Sequence, residues 1–197
     1  MNKRDGFSPT GHLTVYKVYP DEREDELVFS EHNTITSGLS VGLSILFADQ
    51  GSQSITDYQI RWFQLGVDGD VDDYGVSTSL LGSAIESEGY YNSAGSKLIV
   101  ETHKLLARGV SLNNRVFAEI PFYAIQKTGP KSIRFTIGVD RNSCNTTPPL
   151  DLNEIGLFMS NPRGLTPLES ILVAYRPHSV ITKTSDFGLL YKWEINF

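Results

Sequence analysis

The last nine residues, 189–197, set the terms for the fold: Leu189, Tyr191, Trp193, Ile195 and Phe197 alternate with Leu190, Lys192, Glu194 and Asn196. A period of two sends successive side chains to opposite faces of an extended strand, so five large apolar groups point one way. A strand that apolar must be docked in a sheet. The same period, or the β-branched and aromatic residues that suit a pleated surface, recurs over 13–18, 58–64, 97–101, 115–122, 132–139 and 170–176. Thr128-Gly-Pro-Lys131 separates two of these stretches by hairpin spacing, which predicts one hairpin over 115–139.

One segment keeps helical time instead. Leu39, Leu43, Leu46 and Phe47 recur at helix spacing, Thr36 or Ser37 is placed to cap the exposed N–H groups, and Gln50-Gly51 supplies a stop, predicting a helix over 36–49. Gly38 and Gly42 lie four apart on it, where another chain segment can approach closely. The pattern as a whole predicts a mainly β protein: a single antiparallel β-sandwich of jelly-roll type over 1–197, with seven or eight strands and one helix in the N-terminal half. Its expected appendages are an extended arm over 1–26 and an inserted loop over 66–96, the latter rich in Gly, Ser, Asp and Tyr with little periodicity. The acidic run 21–26 reads as a solvated loop, because charges this dense have no core to face.

With 197 residues the chain is long enough to bury a core without staples. Seventeen Lys and Arg against 23 Asp and Glu leave a net charge of -6, the wrong sign for neutralising phosphates, so no nucleic-acid partner is expected. No apolar run is long enough to span a bilayer, and the start of the chain, Met-Asn-Lys-Arg-Asp-Gly-Phe, lacks the apolar stretch of a signal peptide. Neither a membrane nor export is expected. Cys144 stands alone, which rules out an intrachain disulfide and fits folding in a reducing compartment.

Motifs that carry chemistry are sparse. Asp68, Asp70 and Asp72 alternate as at the opening of a Ca²⁺ loop, but Asp73 and Ser79 stand where an EF-hand needs Gly and a bidentate Glu, which favours a solvated acidic turn. His12, His32, His103 and His178 never fall at a spacing that puts two ligands on one face, so no metal site is expected. Cys144 has no adjacent base and reads as an inert thiol. No nucleophile elbow and no Gly-rich phosphate loop occurs. The expectation is therefore a protein that is not an enzyme and has no cofactor, catalytic residue or metal ligand. The residues singled out instead are Tyr16, Tyr74, Tyr90 and Tyr91, amphipathic side chains in aperiodic segments, as candidates for subunit contacts.

Two blocks carry a resemblance. The first runs from His32-Asn-Thr-Ile-Thr-Ser-Gly-Leu through the helix to Ile60-Arg-Trp-Phe-Gln-Leu-Gly66; the second holds Asn153-Glu-Ile-Gly-Leu-Phe158, Ile171-Leu-Val-Ala-Tyr-Arg176, Lys183 and the closing 187–197. Together, over 33–66 and 153–197, they resemble virion structural proteins of tailed bacteriophages, of the tail, baseplate or collar type. The resemblance implies a symmetric homo-oligomer that contacts other virion proteins and is assembled in the host cytoplasm. A carbohydrate- or receptor-binding sandwich of adhesin type is the alternative, resting on the loop tyrosines. An enzyme has only prevalence behind it.

Overall fold

The computed structural model describes residues 9–48, 58–66, 117–145, 148–160 and 171–197. The strands are β1 (Thr10–Val18), β2 (Glu26–Ile35), β3 (Ile60–Gly66), β4 (Phe117–Glu119), β5 (Ile125–Gly129), β6 (Ser132–Val139), β7 (Leu150–Met159), β8 (Ile171–Lys183) and β9 (Gly188–Asn196), with one α-helix, α1 (Ser37–Ala48). They form a nine-stranded sheet in the order β4-β3-β7-β8-β2-β1-β9-β6-β5, and every neighbouring pair is antiparallel. The described residues are thus mainly β with one short helix, as the periodicity predicts.

The C-terminal strand is an interior strand. β9 pairs with β1 from Thr10↔Asn196 to Val18↔Gly188, and with β6 from Ser132↔Asn196 to Val139↔Leu189. Leu189, Tyr191, Trp193 and Ile195 are all buried, while the residues between them are half-buried on the other face.

Several boundaries differ from the sequence reading. The segment 1–26 is not an arm throughout, because Thr10–Val18 is sheet interior between β2 and β9, with Leu13 and Val15 fully buried. Those two alternating apolar side chains dock it. The predicted hairpin over 115–139 is also divided. Among the described residues of its first arm only Phe117–Glu119 is strand, and it pairs with β3. Pro121, which has no N–H for a ladder, is followed by a 3₁₀ turn over Phe122–Ala124, and the hairpin consists of β5 and β6 alone. The segment 97–101 and the loop 67–96 lie outside the described residues. No helix among the described residues is long and apolar enough to cross a membrane.

β4 and β5 end the sheet on opposite sides, yet only residues 120–124 join them. That link spans at most about 20 Å. A flat sheet with eight strand spacings would be about 38 Å wide, so the sheet curls back until its two ends meet. The turning point is β2, which pairs with β1 along most of its length and with β8 only at Thr34↔Tyr175 and Ile35↔Ala174. Leu13, Phe135 and Trp193 from one half and Leu65, Leu157 and Val173 from the other belong to one apolar cluster.

α1 packs on β8. Thr36 fastens its start: the Thr36 N–H donates to the Val173 carbonyl at 3.0 Å and the buried hydroxyl donates to the Leu172 carbonyl at 2.6 Å. Gly42 is where the close approach occurs, since a Cβ there would lie 2.4 Å from Met159 Sδ on β7.

Candidate functional site

Among the described residues two regions gather chemistry-bearing groups. The first surrounds the β8–β9 turn. Asp140 accepts from the N–H of Asn142 at 2.8 Å through its carboxylate and from the N–H of Ser143 at 2.9 Å through its carbonyl, closing a tight turn in which Cys144 takes a left-handed backbone conformation, φ 58°. The buried Lys183 Nζ reaches into this turn and donates to the carbonyls of Arg141 at 3.0 Å and Thr184 at 2.6 Å, and to Asn145 Oδ1 at 3.1 Å. Burial pulls the Lys183 pKa down, against the upward pull of Cys144, Asp140 and Asp186. With all three N–H donors engaged, the ammonium is a fastener between turn and strand rather than a free nucleophile. Burial likewise raises the Cys144 thiol, so its thiolate is disfavoured.

His178 lies deeper, between Phe29 and Tyr191 with ring centroids 5.9 and 5.8 Å away. Its Nδ1–H donates to the Ser179 carbonyl at 2.8 Å, and its Nε2 has no hydrogen-bond partner. Desolvation lowers its pKa from 6.5 to about 4, with a further push from Arg176, so the ring is neutral at pH 7. Arg176 pairs with Glu31 and lies over the Phe29 ring, 5.3 Å from its centroid. On the far half of the sheet the Tyr175 hydroxyl donates to the buried Glu154 carboxylate at 2.8 Å. These groups join strands to one another.

The second region is the corner between β4 and β5. Its frame is the Ile120 N–H donating to the Arg61 carbonyl at 2.6 Å, the Ala124 N–H donating to the Pro121 carbonyl at 2.8 Å, and an Arg61–Glu119 ion pair. The turn pushes two adjacent aromatics outward, Phe122 at 75% and Tyr123 at 81% exposure. Phe122 borders a cavity of about 290 Å³ among Leu39, Leu43, Ile133 and Met159, and Tyr123 borders another of about 440 Å³ beside Phe63 and Ile137.

Of the residues singled out from sequence, Tyr16 sits on β1, half-buried, and Lys192 Nζ lies 4.7 Å from its ring centroid. It faces the side of β1 opposite Leu13 and Val15, as part of the sheet rather than of a free arm. Tyr74, Tyr90 and Tyr91 lie outside the described residues, as do Asp68, Asp70 and Asp72. The structure also brings together what spacing along the chain could not: His12 and His32 face each other across β1 and β2, edge to face at 5.4 Å. No third ligand joins them, and no group of three or more metal-ligating side chains occurs among the described residues. The exposed pair Phe122 and Tyr123 escaped the sequence reading because 115–122 reads as one strand; the Pro121 before them was the available signal.

No family model, no curated protein and no solved structure matches the chain.

Proposed function

We propose that this chain is a non-enzymatic structural protein of a tailed-phage virion, which assembles as a symmetric homo-oligomer in the host cytoplasm and contacts neighbouring tail, baseplate, collar or capsid proteins. In this reading the curled sheet is a two-layered, jelly-roll-like antiparallel sandwich, with β4, β3, β7 and β8 in one layer, β1, β9, β6 and β5 in the other, and β2 at the fold. One observation carries the reading. The first block and the opening of the second, far apart in sequence, are neighbours in the fold: β3 pairs with β7 from Ile60↔Met159 to Gly66↔Glu154, β7 pairs with β8, and α1 rests on β8 with Gly42 against Met159, while the closing 187–197 lies in the other half of the sheet between β1 and β6. The exposed Phe122 and Tyr123 supply the side-chain type enriched at interfaces.

Size-exclusion chromatography with light scattering over a hundredfold range of concentration tests the reading. The expected result is one oligomer of fixed, closed stoichiometry. A chain that stays monomeric throughout, alone and with the proteins of the particle it is isolated from, would overturn it.

A further inference from the structure

Strand register, rather than spacing along the chain, brings two imidazoles together. His12 on β1 stands directly opposite His32 on β2, on the face of β1 away from the buried Leu13 and Val15. His12 is half-buried and His32 is exposed. Their ring centroids are 5.4 Å apart and their planes meet at 89°. His32 Nδ1 lies 3.3 Å from the Gly11 carbonyl, which can only accept, so this nitrogen carries the proton and Nε2 carries the lone pair. His12 Nδ1 lies 3.4 Å from the Thr14 hydroxyl, which can accept from it in the same tautomer.

A ring anchored through Nδ1–H, with the lone pair on Nε2, is the state in which histidine ligates a metal ion, because the anchoring bond fixes both tautomer and orientation. The separation of the rings selects the ion. Zn–N bonds of about 2.0–2.1 Å at a tetrahedral angle hold two ring centroids about 5.2 Å apart, whereas the right angle of a square-planar ion holds them about 4.5 Å apart. The observed separation fits the tetrahedral ion. Two neighbouring cations are committed elsewhere on this face: Arg134 pairs at 2.9 Å with Glu194, which stands opposite His12 on β9, and Lys192 holds its Nζ over the Tyr16 ring. We infer that His12 and His32 form a two-histidine site for Zn²⁺, bound through both Nε2 atoms, with water in the two remaining positions. The exposure of His32 gives the ion its way in. This inference stands apart from the assembly reading and adds a metal to a chain whose histidine spacing predicts none.

The test uses the untagged full-length chain, stripped with EDTA and titrated with Zn²⁺ by calorimetry, and the same chain labelled with ¹⁵N at histidine for NMR. The expected result is one saturable Zn²⁺ per chain, weakened at least tenfold by His12→Gln and by His32→Gln alike, since a single imidazole cannot chelate. On binding, the Nε2 signals of both rings shift while both Nδ1 atoms keep their protons. The melting temperature rises with Zn²⁺ in the parent and in neither variant, and it does not rise with Mg²⁺, a hard cation that imidazole serves poorly. Cooperative melting of both variants in EDTA shows that they are folded, so that lost binding reports the ligands and not the fold. Absence of saturable binding at millimolar Zn²⁺, binding undiminished in either variant, or ligation through Nδ1 overturns the inference.

Discussion

At the scale of single residues, His178 and Lys183 show how buried polar groups tie stability to conditions. His178 holds its proton less firmly when folded, at about 4, than at its ordinary 6.5. In that window the unfolded chain binds more protons, so stability falls as pH drops from 6.5 towards 4; at pH 4.5 the loss from this ring alone is about 2–3 kcal/mol relative to pH 7. His178→Phe is therefore expected to lose about 2 kcal/mol less than the parent between pH 7 and pH 4.5 in urea denaturation. An equal loss in both proteins would mean that the ring titrates elsewhere. Lys183→Met strips three acceptors, the Arg141 and Thr184 carbonyls and Asn145 Oδ1, of their shared donor. Loss of these part-buried hydrogen bonds is expected to cost about 1–3 kcal/mol, which denaturant midpoints at constant m-value would show.

At the scale of elements, β9 and the seat of α1 carry the argument. Trp193 is fully buried between Leu13 and Phe135 on the neighbouring strands, so Trp193→Ala is expected to cost about 3–5 kcal/mol, and deletion of 189–197 to abolish soluble folding. Soluble, cooperatively melting protein after that deletion would show the strand to be dispensable. Gly42→Val sets a branched side chain against Met159 Sδ and is expected to cost about 1–3 kcal/mol, part of which Met159→Ala restores; purely additive costs in the double mutant would place the strain elsewhere. Strands with one buried face, β1, β6 and β9, were legible because burial on one side writes a period of two into the sequence. β7 was read only through its resemblance, since Leu152–Met159 is buried on both faces and carries no alternation. β2 escaped because Glu26, Ser30, Glu31, His32 and Asn33 leave few apolar residues to mark it. The corner aromatics were illegible for another reason: their exposure depends on a turn that brings two remote sheet edges together, and no local pattern records that.

At the scale of the whole molecule, curling the sheet leaves two large aromatics unburied at the place where its ends meet. Folding of the subunit has no use for them: Phe122 and Tyr123 face solvent, while Ile120 and Ala124 on either side are buried and hold the corner. Substitution at such exposed positions changes subunit stability by no more than about 0.5 kcal/mol, whereas aromatics at the centre of an interface are where truncation costs most. The double variant Phe122→Ser, Tyr123→Ser is accordingly expected to melt like the parent when monomeric and to shift the oligomer towards smaller species at least tenfold in concentration, read by light scattering beside a thermal melt. Loss of stability with the oligomer intact would make the pair a structural part of the corner and place the assembly surface on another face.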